Sequence, residues 1–60
     1  MNPVDALIVA VALDSRFRSK HPELWLLVWL ELAEQYGSEV AIYVTTKAAE
    51  LLLAYEIATA

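Results

Sequence analysis

Side chains suited to acid–base or covalent chemistry are sparse in this sequence. His21 is its sole imidazole, and its hydroxyls are Ser15, Ser19, Ser38, Thr45, Thr46 and Thr59 besides the tyrosines. Nucleophilic catalysis needs a hydroxyl held beside a base that a third group orients. His21, between Lys20 and Pro22, has no such supporting pattern and reads as a boundary residue rather than a base or ligand. Glu31 and Glu34 lie one turn apart, a spacing that solvated helix faces show routinely. No Glu-x-x-His pair marks a bundle metal site. The absence of cysteine removes disulfides and thiolate metal ligands, and one histidine does not build a structural zinc site. A single glycine rules out a glycine-rich phosphate loop. The expectation is a non-enzymatic protein without cofactor or metal.

Three of the four cations, Arg16, Arg18 and Lys20, fall within Asp14–His21 (DSRFRSKH). Two roles fit them. Basic residues after a helix commonly cap its carbonyl end and keep the turn solvated. The alternative is a small anion-facing patch for phosphate or an acidic partner surface. Phe17 sits between two of these cations. It either tucks into the core or serves as an exposed anchor, and burial is favoured because exposure forfeits ~1.5–3 kcal/mol.

Three helices are expected to position these groups. Asn2-Pro3-Val4-Asp5 is a helix start, with an asparagine N-cap, proline at the first helical position and an acidic first turn. Ala6–Leu13 (ALIVAVAL) has no polar face, and its β-branched residues make a buried strand the competing assignment. The start signals favour a helix over Pro3–Asp14. Pro22 opens the second helix with His21 just outside it, and Gly37 closes it as a left-handed cap. Within Leu24–Tyr36 (LWLLVWLELAEQY), Trp25, Trp29, Leu32 and Tyr36 form an apolar stripe. Leu26, Leu30 and Ala33 flank it on one side and Val28 on the other. The opposite side carries Glu23, Glu31, Glu34 and Gln35, but Leu24 and Leu27 intrude among them. An ordinary surface helix has one apolar face; this one is apolar around most of its circumference.

Ser38 is the expected cap of the third helix, Glu39–Ala58. Ala41, Val44, Ala48, Leu51, Tyr55 and Ala58 alternate spacings of three and four, a heptad-like seam. Ile42, Ala49 and Leu53 make a second apolar strip. Val40–Thr46 (VAIYVTT) taken alone reads as a strand, and the continuing seam favours helix. The main seam fits either an intramolecular hairpin core or a contact between chains.

Size and composition turn this surplus of apolar surface into a functional clue. Sixty residues form one domain, residues 1–60, near the lower limit for independent folding. Burying roughly 3,500 Å² of apolar surface supplies on the order of 90 kcal/mol. Ordering the chain costs about the same. Without disulfide or metal, oligomerisation is the remaining route to stability. Apolar residues make up 60% of the chain, and the mean hydropathy is +0.51. The longest apolar runs, Ala6–Leu13 and Leu24–Leu30, are too short to span a bilayer, and the N-terminus lacks the basic region of a secretory signal. A cytoplasmic protein is expected, with membrane association unlikely. A net charge of −4 argues against general nucleic-acid affinity.

The all-α reading is therefore a short-long-long helical hairpin or bundle completed by homo-oligomerisation, at least as a homodimer. The expected role is protein–protein interaction, as an adaptor, assembly subunit or inhibitor. Leu24, Leu27, Trp25 and Trp29 are the first contact candidates, followed by Tyr43 and Phe17, because aromatic anchors dominate interface energetics. Two alternatives stand beside it. Leu32–Gly37 followed by a helix resembles a helix-turn-helix, which implies DNA binding. It departs at polar Ser38, in its long preceding helix, and in Glu39 and Glu50 set against Lys47 alone. The other alternative is a peripheral membrane peptide inserting Ala6–Leu13.

Overall fold

The computed structural model describes residues 2–59. Four α-helices follow in order: α1 (Pro3–Leu13), α2 (Ser15–Arg18), α3 (Pro22–Tyr36) and α4 (Ser38–Thr59). The fold is all-α, and both segments with strand-like composition are helical. At Ala6–Leu13 the local start signals prevail. The Asn2 side chain accepts a hydrogen bond from the Val4 amide at 2.8 Å, and Pro3 occupies the first turn. Val40–Thr46 lies inside α4, where Thr45 Oγ1 donates to the Ala41 carbonyl at 2.7 Å and satisfies its hydroxyl within the helix.

Two junctions differ from expectation. Asp14–His21 is not a plain connector, because it contains α2. Asp14 adopts an extended conformation that stops α1, and its amide donates to Val11. Its carboxylate then accepts from the Arg16 amide at 2.8 Å, so one residue ends α1 and caps α2. The arginines are consequently not caps of α1, whose last turn holds no basic residue. Gly37 has φ +94° and ψ 160°, a positive-φ conformation outside the left-handed helical region. That geometry is essentially restricted to glycine. Ser38 is the first residue of α4 rather than its cap, since the Gly37 carbonyl already accepts from the Ala41 amide at 3.1 Å. At α3, His21 lies just outside the helix and Pro22 begins it, as the X-Pro rule requires.

The core gathers Val11 and Ala12 of α1, Phe17 of α2, Val28 and Leu32 of α3, and Ala41, Val44 and Ala48 of α4. Ala41, Val44 and Ala48 are wholly inaccessible to solvent. Their small size permits close helix approach. α4 packs on both α1 and α3, while α2 bridges α1 and α3. The organising element is thus α4. Its 22 residues span about 33 Å, against about 16 Å for α1 and about 22 Å for α3. The molecule measures 35 × 29 × 15 Å. Neither neighbour is long enough to cover α4 along its whole length.

Candidate functional site

The candidate site is apolar surface rather than a catalytic cleft. Among the described residues no polar or charged side chain is buried, and no group of three or more His, Asp or Glu side chains is placed to hold a metal. Among the described residues, five large apolar side chains are buried, Val11, Phe17, Val28, Leu32 and Val44, whereas thirteen large apolar or aromatic side chains are exposed. The accessible surface is 4351 Å², whereas a compact monomer of this mass exposes roughly 3,900 Å².

On α3 the buried line is rotated from the expected stripe. Val28 and Leu32 are its buried residues, Trp29 is half-buried, and Trp25 and Tyr36 reach solvent. α2 causes this rotation. Phe17 stacks on Trp25 with centroids 5.1 Å apart and planes inclined by 24°. Arg16 Nη1 reaches Glu31 Oε2 at 2.7 Å, and Nη2 reaches Oε1 at 3.1 Å. Val28 lies between Trp25 and Glu31 on the helix wheel, so these two contacts hold α2 over it. Leu26 and Leu30, on the flank of that stripe, are exposed.

The contact candidates therefore separate. Leu27 is exposed among carboxylates as expected, and Tyr43 is exposed beneath the Lys47 ammonium, 5.8 Å from its ring centroid. Trp25 is exposed at its edge, being stacked on Phe17. Trp29 is half-buried. Phe17 is 3% exposed, the burial favoured for it in the sequence, because it joins the core cluster and stacks on Trp25, and it therefore offers no exposed anchor. Leu24, like Trp29, is half-buried, on the side of α3 that carries Val28.

Two of the three cations of the basic patch are engaged in ion pairs. Arg16 binds Glu31 and also Asp14, with Nη2 to Oδ2 at 2.9 Å and Nε to Oδ1 at 3.2 Å. The Arg16 guanidinium holds the Asp14 and Glu31 carboxyls below their ordinary range, and both carboxylates raise the guanidinium further. Lys20, at φ +66°, stands 3.8 Å from Glu56 in an exposed pair. Arg18 makes no ion pair among the described residues. The patch is thus not three free cations.

Sequence periodicity did not isolate a second uncovered region, the second half of α4. The seam Ala41–Val44–Ala48 is sealed, yet its continuation Leu51, Tyr55 and Ala58 is exposed, along with Leu53 and Ile57. Two open grooves run beside it. One, of about 510 Å³, is lined by Phe17, Trp25, Leu52, Leu53 and Tyr55, with Arg18, Lys20 and Glu56 among its polar groups. The other, of about 360 Å³, lies between Leu13 and Leu51 and shares Arg18, Leu52 and Tyr55 with the first. The available sequence signal was helix length: the seam outruns anything α1 or α3 can cover. No helix among the described residues is long and apolar enough to cross a membrane. Comparisons with protein-family models, with characterised proteins and with solved structures found no match to this chain.

Proposed function

We propose that this protein is a non-enzymatic protein–protein interaction module that acts through apolar helix faces and associates with itself. One observation carries the reading: large apolar side chains exposed to solvent outnumber those in the core. Isolated surface leucines are ordinary, but contiguous apolar patches mark interaction surfaces. The exposed residues are contiguous here, along the outer side of α3 (Leu26, Leu27, Leu30) and along the second half of α4. Aromatic Trp25 and Tyr55 give these faces the residue types enriched at binding hot spots. Adaptor, assembly-subunit and inhibitor roles all use such a surface, and a cytoplasmic setting suits a cysteine-free acidic chain.

Size-exclusion chromatography coupled to light scattering tests this. The full chain at tens of micromolar is expected to elute with twice the monomer mass of 6.7 kDa or more. A compact, thermally stable monomer at that concentration contradicts the self-association reading.

A further inference from the structure

We propose that the uncovered second half of α4 is a twofold docking site for a second copy of this chain, with Arg18 pairing to Glu56 of the partner subunit. The inference rests on the interaction reading above and specifies its surface. It starts from the continuity of the α4 seam. Leu51 and Tyr55 follow Ala41, Val44 and Ala48 at seam spacing, yet they are 46% and 65% exposed. An apolar seam sealed at one end and open at the other needs a second surface of the same character. The matching half of α4 from another copy supplies one, laid antiparallel against the first so that Leu51 faces Tyr55 of the partner subunit and Tyr55 faces the partner subunit's Leu51. Twofold packing of this kind is self-complementary and closed.

Charge selects this face over the other exposed one. The outer side of α3 mixes Leu27 and Leu30 with Glu23 and Glu34, and neither glutamate pairs with an arginine or lysine among the described residues. Pairing that face with itself would juxtapose carboxylates, which is penalised. The α4 site brings both signs. Arg18 borders both grooves and makes no ion pair among the described residues, while Glu56 is held only by a 3.8 Å exposed contact to Lys20. With the twofold axis passing between Leu51 and Tyr55, each Arg18 faces Glu56 of the partner subunit, giving two equivalent pairs.

The area is sufficient. Leu13, Leu51, Leu53 and Tyr55 are each about half exposed or more. With the groove walls between them they offer on the order of 600 Å² per copy, or about 1,200 Å² in a dimer. That reaches the lower end of stable specific interfaces.

Sedimentation equilibrium on the full chain tests the assignment, with far-UV circular dichroism confirming helicity for each variant. The wild type is expected to dimerise. Tyr55→Glu raises the dissociation constant about 100-fold, since a charge replaces a central aromatic. Arg18→Glu, at an exposed position, raises it about tenfold through two lost pairs. Adding Glu56→Arg to Arg18→Glu restores most of that loss, which a merely structural role for Arg18 does not produce. A dimer unaffected by Tyr55→Glu and Arg18→Glu but dissociated by Leu27→Glu overturns this interface and leaves the interaction reading standing. A wild type that stays monomeric to hundreds of micromolar overturns both.

Discussion

The two halves of α4 share one seam and one spacing but differ in what lies over them. In the first half, Ala41, Val44 and Ala48 are sealed between α1 and α3. In the second, Leu51 and Tyr55 continue the line into solvent. Periodicity therefore defines a face, whereas the lengths of neighbouring helices decide whether that face becomes core or surface. α1 and α3 end too soon to cover a 22-residue helix.

Matched substitutions in the two halves break the comparison most sharply. Val44→Asp places an unpaired carboxylate in the sealed half and is expected to cost several kcal/mol, enough to abolish the cooperative thermal transition. Leu51→Asp leaves the fold intact and removes association; thermal circular dichroism and light scattering separate the two outcomes. Volume gives the next largest contrast. Ala48→Leu overpacks the α4 contact and lowers stability by up to about 3 kcal/mol in urea unfolding. Ala58→Leu, on the same seam in the exposed half, stays within about 0.5 kcal/mol.

Gly37 sets the joint that aims α4 across both neighbours. No atom lies within 4 Å of the position a Cβ would occupy, so the penalty for Gly37→Ala is conformational rather than steric crowding. It is expected to destabilise the fold by about 1–2 kcal/mol in the same urea assay. The smallest effect concerns acid. Asp14 and Glu31 have carboxyl pKa values lowered mainly by hydrogen bonds from Arg16. The folded state thus binds protons less readily than the unfolded state. Its resulting stability is present above the unfolded carboxylate pKa and is lost as pH falls through the lowered folded pKa. Arg16→Gln is expected to flatten the acid limb of Tm against pH, modestly because the groups are solvent-exposed.

Much of the architecture was legible in the sequence. Asn2-Pro3 and His21-Pro22 carry local start signals, and both helices begin where those signals place them. The strand-like composition of Val40–Thr46 was outweighed by the longer seam in which it sits. α2 was not legible because it is a single turn created by the Asp14 cap, too short for a hydrophobic period. The Arg16–Glu31 pair was missed for a related reason: it joins residues fifteen apart through that unseen turn. On α3, an almost uniformly apolar circumference gives no preferred inward direction. The choice fell to Phe17 and Arg16, which draw Leu24 and Val28 inward and leave Leu26 and Leu30 outside. The interaction candidates shifted accordingly. Leu27 and Trp25 remain at the surface, Phe17 is core, and the second half of α4 joins them.

Hydrogen exchange as a function of protein concentration tests the central contrast most directly. Amides around Val44 and Ala48 should show the same protection at low and high concentration, because packing within one chain seals them. Amides from Leu51 to Ile57 should gain protection as concentration rises, reflecting cover supplied by a second copy. Exchange in both halves that is independent of concentration over the micromolar range would contradict the account.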